Sequence, residues 1–339
     1  MNLTIKEQVT KEEWESAIKQ FREANFLQSF NWGDFHHALG KKVIRLLFLD
    51  SQNVAGLAQL IIERAKRGNY LTIAGGPIMD WNNDELFNFV FSEIKKLAKE
   101  EKLDFIRFRP QEIESNQLLK KVAKVGAITA QMHLTADLTL QLDLTNTEDE
   151  LLAQMRKNHR SSIRKCDKLG ITVEQTSDPK DIKSFYDNQL ELAQKHGFVP
   201  FGYDFLHEQF KAFARDGQVL LFHSYNLGKL LASAFILFYN NEAVYHYGIS
   251  TDENRKLPGS YACQWAAIKE AKKRSCLKYN FWGIAPEDAK DHRFAGVSLF
   301  KKGFGGDEVA YLPAHDIALS AKYYLIAGFE YLRKKARRL

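Results

Sequence analysis

The same order of hydrophobic segments occurs twice in this chain, and a doubled pattern restricts the available folds more than any single residue does. From Val43, "VIRLLFLD" predicts a strand, "SQN" a turn, "VAGLAQLIIERA" a long second strand and "NYLTIAGG" a third. "DELFNFVFSEIKKLAKEEK" predicts a helix and "DFIRFRP" a closing strand. From Val219 the order returns: "VLLFHSYN", a turn at "LGK", "LLASAFILFY", "EAVYHYGIS", the helix "GSYACQWAAIKEAKKRS" and the strand "KYNFWGI". The strands rest on β-branched and aromatic enrichment bounded by Gly, Asn and Asp. The helices rest on apolar spacing of three and four with lysine in the last turns. Matching elements lie roughly 175 residues apart, taking Phe105 against Phe281.

That order resembles the core of a GNAT-type acyltransferase. The expected fold class is therefore α/β, with two tandem GNAT-like domains, mixed and largely antiparallel sheets, and flanking helices. At 339 residues and 45% hydrophobic, the chain can fill two ordinary cores. The first domain is expected over 1–147 and 311–339, closed by the last helix, and the second over 148–310. Lys and Arg number 48 against 42 Asp and Glu, a net charge of +6 that permits an anionic partner without requiring one. Cys166, Cys263 and Cys276 form no CxxC pair, which argues for a reducing compartment and against zinc ribbons or a disulfide scaffold. Residues 1–11 are polar, with no secretion signal. The longest apolar run, 230–239, is about half the length of a membrane span. The expectation is a soluble, cytoplasmic protein.

The two domains are joined by "DLTNTEDELLAQMRKNHRSSIRKCDKLG". Asn146 or Thr147 can cap a helix that has Glu148, Asp149 and Glu150 in its first turn and ends at Gly170. At 100° per residue, Leu152, Met155, His159, Ile163 and Cys166 share one arc, and Arg156, Lys157, Arg160, Arg164 and Lys168 share the opposite one. Most charge runs are solvated faces. Five cations with almost no acid beside them instead point to a phosphate-bearing partner.

There is no HExxH, Walker A or GxSxG, so zinc-protease, NTPase and serine-hydrolase chemistry has no support. GNAT enzymes hold a coenzyme pyrophosphate on helix-start amides through a loop close to [RQ]xxGx[GA]. The matching segment, "NRKLPGSYA", keeps Arg255 and Gly259 but places Pro258 where a free N–H is wanted. The GNAT architecture is expected without acyl-CoA binding.

Five segments in order and spacing resemble the FemABX peptidyltransferases, over residues 26–332. They are "FLQSFNWGDFHHALGKKVIRL", "AGGPIMD", "MRKNHRSSIRKCDKLGI", "YHYGISTDENRKLPGSYACQW", and "FWGIAP" followed by "HRFAGVSLFKKGFGG". The resemblance implies an aminoacyltransferase of cell-wall cross-bridge synthesis. Its substrates would be aminoacyl-tRNA and a UDP-linked or lipid-linked muramyl peptide, with no cofactor beyond the tRNA co-substrate. It also implies a monomer of the short form, lacking the helical hairpin that some members insert between domains. By position, Lys301 matches the family's active-site lysine and Lys302 is its neighbour. Tyr247 matches a cleft tyrosine, and His36 falls where some members carry a lysine near the precursor's diphosphate. The family arginine expected around "GFVPFGYDF" has no clear counterpart.

The chemistry fits this inventory. An aminoacyl ester on tRNA is already activated, so aminolysis needs alignment of an amine with the ester carbonyl and stabilisation of an oxyanion. Lys301 is the expected oxyanion group and Asp80 the expected residue to orient or deprotonate the amine, although an Asp in a turn is more often a cap. Substrate binding is expected from His36, Tyr247, Arg255 and Lys302, and tRNA binding from Arg156, Arg160 and Arg164. The final segment, "SAKYYLIAGFEYLRKKARRL", reads as an amphipathic helix. Its cations complement the helix end, or draw the chain to an anionic membrane surface or tRNA. Two alternatives stand against this reading. One is an acyl-CoA-dependent GNAT N-acyltransferase, which would bind acetyl-CoA. The other is a non-catalytic RNA-binding protein, whose binding would not depend on a charged amino acid.

Overall fold

The computed structural model describes residues 1–65, 68–197, 199–287 and 294–337. It divides into two compact units. The first holds Met1–Leu138, Glu287 and 310–337, and the second holds Thr139–Pro286 and Phe294–Val309.

In the first unit the strands are β1 (Leu3–Lys6), β2 (Lys42–Asp50), β3 (Asn53–Ala65), β4 (Gly68–Gly75), β5 (Ile78–Met79), β6 (Phe105–Pro110), β7 (Ala127–Thr129) and, from the far end of the chain, β15 (His315–Ala318). Their order is β1-β2-β3-β4-β6-β15-β7, with β5 paired to β3. In the second unit they are β8 (Leu138–Asp143), β9 (Ile171–Thr176), β10 (Val219–Asn226), β11 (Lys229–Tyr239), β12 (Glu242–Ser250), β13 (Lys278–Gly283) and β14 (Asp307–Ala310), in the order β14-β8-β13-β12-β11-β10-β9. The doubled pattern is thus a doubled topology. β2-β3-β4 and β10-β11-β12 are antiparallel, and each is followed by one parallel pairing, β4 with β6 and β12 with β13. An antiparallel strand then covers the outer edge of each, β15 on β6 and β8 on β13. The expected boundary at 147/148 lies later than the observed one, because β8 pairs inside the second sheet.

Each crossover helix forms for local reasons. Asn83 caps Asp84–Glu100 by accepting from the Leu86 amide at 3.0 Å, and Asp84 and Glu85 face the positive end of its dipole. Leu86, Phe87, Val90, Phe91, Ile94 and Ala98 recur at helical spacing and bury against Leu60, Ile62, Leu71, Ile73, Ile106 and Phe108. In β3, Gln59 points to the opposite face from Leu60. There its amide nitrogen donates to Ser29 O at 2.9 Å, next to the helix Phe30–Ala38. The second crossover helix, Gly259–Lys273, buries small residues instead, Ala262, Cys263, Ala267 and Ala271. A Cβ on Gly259 would meet Leu231 Cβ at 2.4 Å, so this helix lies directly on β11.

The last helix, Lys322–Arg337, is clamped to the first sheet by a buried ion cluster. Arg107 donates from Nε and Nη2 to the two Asp316 oxygens, both at 2.7 Å, and from Nη2 to Glu330 Oε2 at 2.7 Å. Tyr323 donates its hydroxyl to Asp316 at 3.0 Å and packs on Phe105 at 5.3 Å between ring centres. No helix among the described residues is long and apolar enough to cross a membrane.

Candidate active site

The central parallel pair distinguishes the two units. In the first, β4 and β6 stay in register through six pairs, from Tyr70↔Phe105 to Gly75↔Pro110. In the second, β12 and β13 pair at Glu242↔Lys278, Ala243↔Tyr279 and Val244↔Asn280, and then part. Two bulges accompany the parting. Opposite Phe235/Ile236 the register shifts, which leaves His246 as the extra residue between Tyr245 and Tyr247. On β13 the ladder to β8 shifts between Asn280 and Gly283. There Trp282 takes a left-handed φ of 64°, with its amide donating to Asn280 Oδ1 at 2.8 Å. A bulky residue in that region is strained and persists only where its surroundings hold it.

Lys301 comes to this opening from the helix Ala295–Lys302. It is 8% exposed and donates from Nζ to the Gly283 carbonyl at 2.7 Å, with the Tyr245 ring 5.6 Å from the ammonium. Burial pushes its pKa down from 10.5 to about 7. Beside it, burial and the Lys301 charge push His246 down to about 3, so His246 is neutral at pH 7. Tyr247 donates its hydroxyl to Gln209 Oε1 at 3.1 Å, and its ring lies 5.0 Å from Phe201 and 5.4 Å from Phe235. Gln209 is fully buried, and its amide nitrogen has no hydrogen-bond partner among the described residues.

The helix that carries Lys301 is fixed from two sides. Ser298 Oγ accepts from the Ala285 amide at 2.7 Å and donates to Phe294 O at 2.8 Å. His159 donates through Nε2 to Phe300 O at 2.9 Å and packs edge-on to Tyr261 and Phe304. A Cβ at Gly303 would fall 1.9 Å from the His159 ring, so the glycine of "FKKGF" makes room for that ring.

The other expected residues divide. Lys302 ion-pairs with Glu308. Arg255 is exposed and lies 3.8 Å from Asp252. Ahead of the second crossover helix, the Ser260 amide is taken by Asn254 Oδ1 at 2.8 Å and the Gly259 amide by Leu257 O at 2.9 Å. Both amides lie at the helix start, the place where GNAT enzymes hold a coenzyme pyrophosphate.

Three expectations need correction. His36 is buried against Trp32 and Phe35, and burial lowers its pKa to about 3. It is a neutral core residue and brings no charge to a diphosphate. Asp80, in the first unit, is exposed and accepts from the Asn82 amide at 2.9 Å, which makes it a turn cap. The basic helix is not continuous. Glu148–Gln154 ends at Met155 in extended backbone, and Lys157–Cys166 begins anew after the Arg156 amide donates to Gly303 O at 2.9 Å. At the break Arg160 donates to the carbonyls of Ala153 at 2.9 Å and Met155 at 2.6 Å. It therefore serves as a C-terminal cap, while Arg156 and Arg164 stay exposed. Arg160→Ala should cost about 1 kcal/mol of stability. Arg156→Ala with Arg164→Ala should leave the melting temperature unchanged and, if this pair meets tRNA as expected from the sequence, weaken tRNA binding with a shallower salt slope. The reverse pattern would make the exposed pair structural. His292, Arg293, Phe198 and Arg338, named in the sequence motifs, lie outside the described residues.

Sequence reasoning missed Tyr245, His246, Gln209 and Trp282. For Tyr245 and His246 the signal was present in "YHYG" and for Trp282 in "FWGIAP"; nothing local marks out Gln209.

A profile of the FemAB family matches residues 9–231 and 223–329. The lipid II:glycine glycyltransferase of Staphylococcus aureus is 21% identical, over 88% of this chain and 89% of that protein. Among solved structures, FemX superposes with a TM-score of 0.85 at 19% identity, over 96% of this chain and 99% of its own. A tandem GNAT protein from the clavulanic acid biosynthesis pathway gives 0.56 at 10% identity, over 93% and 98%. Both likenesses speak to the fold.

Proposed function

The chain belongs to the FemAB family, and from that premise we propose that it moves an aminoacyl group from aminoacyl-tRNA to the peptide stem of a peptidoglycan precursor, UDP-linked or lipid-linked, on the cytoplasmic side. The observation that carries the reading is a buried lysine at the opening between β12 and β13, with its ammonium on the Gly283 carbonyl. The reaction forms one C–N bond and breaks one C–O bond. The stem amine attacks the ester carbonyl, the tRNA hydroxyl leaves, and the proton lost from nitrogen ends on the departing oxygen. Lys301 supplies charge to the oxyanion in a site where Tyr245 and burial exclude water, and there one charge acts strongly. Because its pKa lies near 7, it can also lend a proton to the leaving oxygen and regain one from the amine. In this reading Tyr247, hydrogen-bonded to Gln209, holds the aminoacyl or stem end.

The test is to incubate the protein with each precursor form and a pool of charged tRNA, then weigh the product. The expected result is a gain of one or more aminoacyl residues, with no gain from acetyl-CoA; an unchanged precursor mass would overturn the reading. With a defined aminoacyl-tRNA, transfer should fall as pH rises through about 7, where Lys301 loses its proton. In Lys301→Arg any residual activity should lack that falling limb, because guanidinium keeps its charge. A limb that persists in the arginine variant belongs to another group.

A further inference from the structure

The last helix, Lys322–Arg337, presents a face that the fold leaves apolar. Its inner side is spent on anchoring: Tyr323 and Ile326 pack beneath it, and Glu330 joins the Arg107–Asp316 cluster. On the outer side Tyr324 is 67% exposed, Leu325 78%, Tyr331 54% and Leu332 65%. At 100° per residue these four share an arc of about 120° with Gly328, and from 324 to 334 that arc carries no charged residue. Exposed apolar residues scattered singly need no explanation, but a continuous stripe on one rigid helix does.

The end of the same helix is basic. Arg333, Lys334 and Lys335 lie on its last turns, and the sequence runs on through Arg337 and Arg338 to complete "RKKARR", with no acid after Glu330. Lys335 is exposed and falls within the apolar arc. Two tyrosines at the edge of an aliphatic stripe, followed by a block of cations, match an interface that is apolar at depth and anionic at its surface.

We propose that this face docks on an anionic lipid bilayer, with Leu325 and Leu332 entering the boundary between headgroups and chains and the basic end meeting the lipid phosphates. A hydrated nucleic-acid backbone gives the leucines nothing to bury against, which is why lipid is the better match. The inference deepens the proposed reaction, since a chain held on the membrane meets a lipid-linked acceptor there. It is tested without turnover, so either reading can fail alone.

The experiment is sedimentation of the full chain with vesicles of phosphatidylcholine, with and without phosphatidylglycerol. Binding is expected only where phosphatidylglycerol is present, and it should weaken in high salt. Leu325→Ser with Leu332→Ser should reduce binding roughly tenfold or more at an unchanged melting temperature, because both side chains already face water. Leu325→Phe with Leu332→Phe, which keeps the apolar area, should retain it. Lys334→Gln and Lys335→Gln should each cost about fivefold. Three results would overturn the proposal. The first is vesicle binding that the serine pair does not change. The second is loss of tRNA binding in the serine pair with vesicle binding intact. The third is a dimer in light scattering that the serine pair converts to monomer.

Discussion

Lys301→Met should give a protein that melts no lower than its parent and transfers about a hundred- to a thousandfold more slowly, the usual loss when one oxyanion-stabilising group is removed. The two halves of this expectation have one cause. A lysine whose pKa falls from 10.5 to about 7 through burial is one the fold holds at a cost while it is charged. The unfolded chain binds that proton up to about pH 10.5 and the folded chain only to about 7, so the unfolded state holds more protons between them. Stability of the parent should therefore rise with pH across that window. The methionine variant lacks this contribution, keeps most of the apolar stem and has no amine to desolvate. The difference in stability between the two should be largest below pH 7 and shrink towards pH 10. The check is a pair of thermal melts across that range beside single-turnover transfer. Near-normal transfer would remove Lys301 from the chemistry, and a flat stability difference would mean its amine is solvated. Lys302→Met should lose its ion pair with Glu308 and little else.

Asp316→Ala should destabilise the first unit by about 3–5 kcal/mol. It removes both carboxylate oxygens from a buried bidentate pair and leaves Arg107 with Glu330 alone. It also takes the acceptor from the Tyr323 hydroxyl. A buried charge that loses its partner costs far more than the pair contributes, so Arg107→Met combined with Asp316→Leu should recover much of the loss. Equal melting temperatures for the single and double variants would show that the ion pair itself, rather than an orphaned charge, carries the stability.

The doubled core was legible because each of its strands and helices has a strong local pattern. Val43 to Arg107 and Val219 to Phe281 carry their own periodicity and turn residues, and the observed elements match them within two or three residues. The outer strands were not legible. β7, β8, β14 and β15 are only three to six residues long and exist through distant pairing, as in Asp316 opposite Arg107. The helix break at Met155 was hidden for the same reason, since Arg156 leaves the expected helix to reach Gly303, far along the chain. At the site, Lys301 and Tyr247 could be named by position in a motif. Gln209 could not, because a buried glutamine beneath a tyrosine is a fact of tertiary structure. His36 misled because its place in a segment says nothing about the Trp32 and Phe35 rings around it.

The position of β15 sets an order of events during synthesis. β6 leaves the ribosome with one edge satisfied by β4, while its other edge waits for residues 315–318, more than two hundred positions later. Meanwhile the second unit's strands β8 to β13 emerge complete and can close on themselves. The nascent first unit must therefore carry an open sheet edge through the whole of that interval, and ribosome-bound chains stalled before residue 315 should engage holdase chaperones that the released full chain no longer needs.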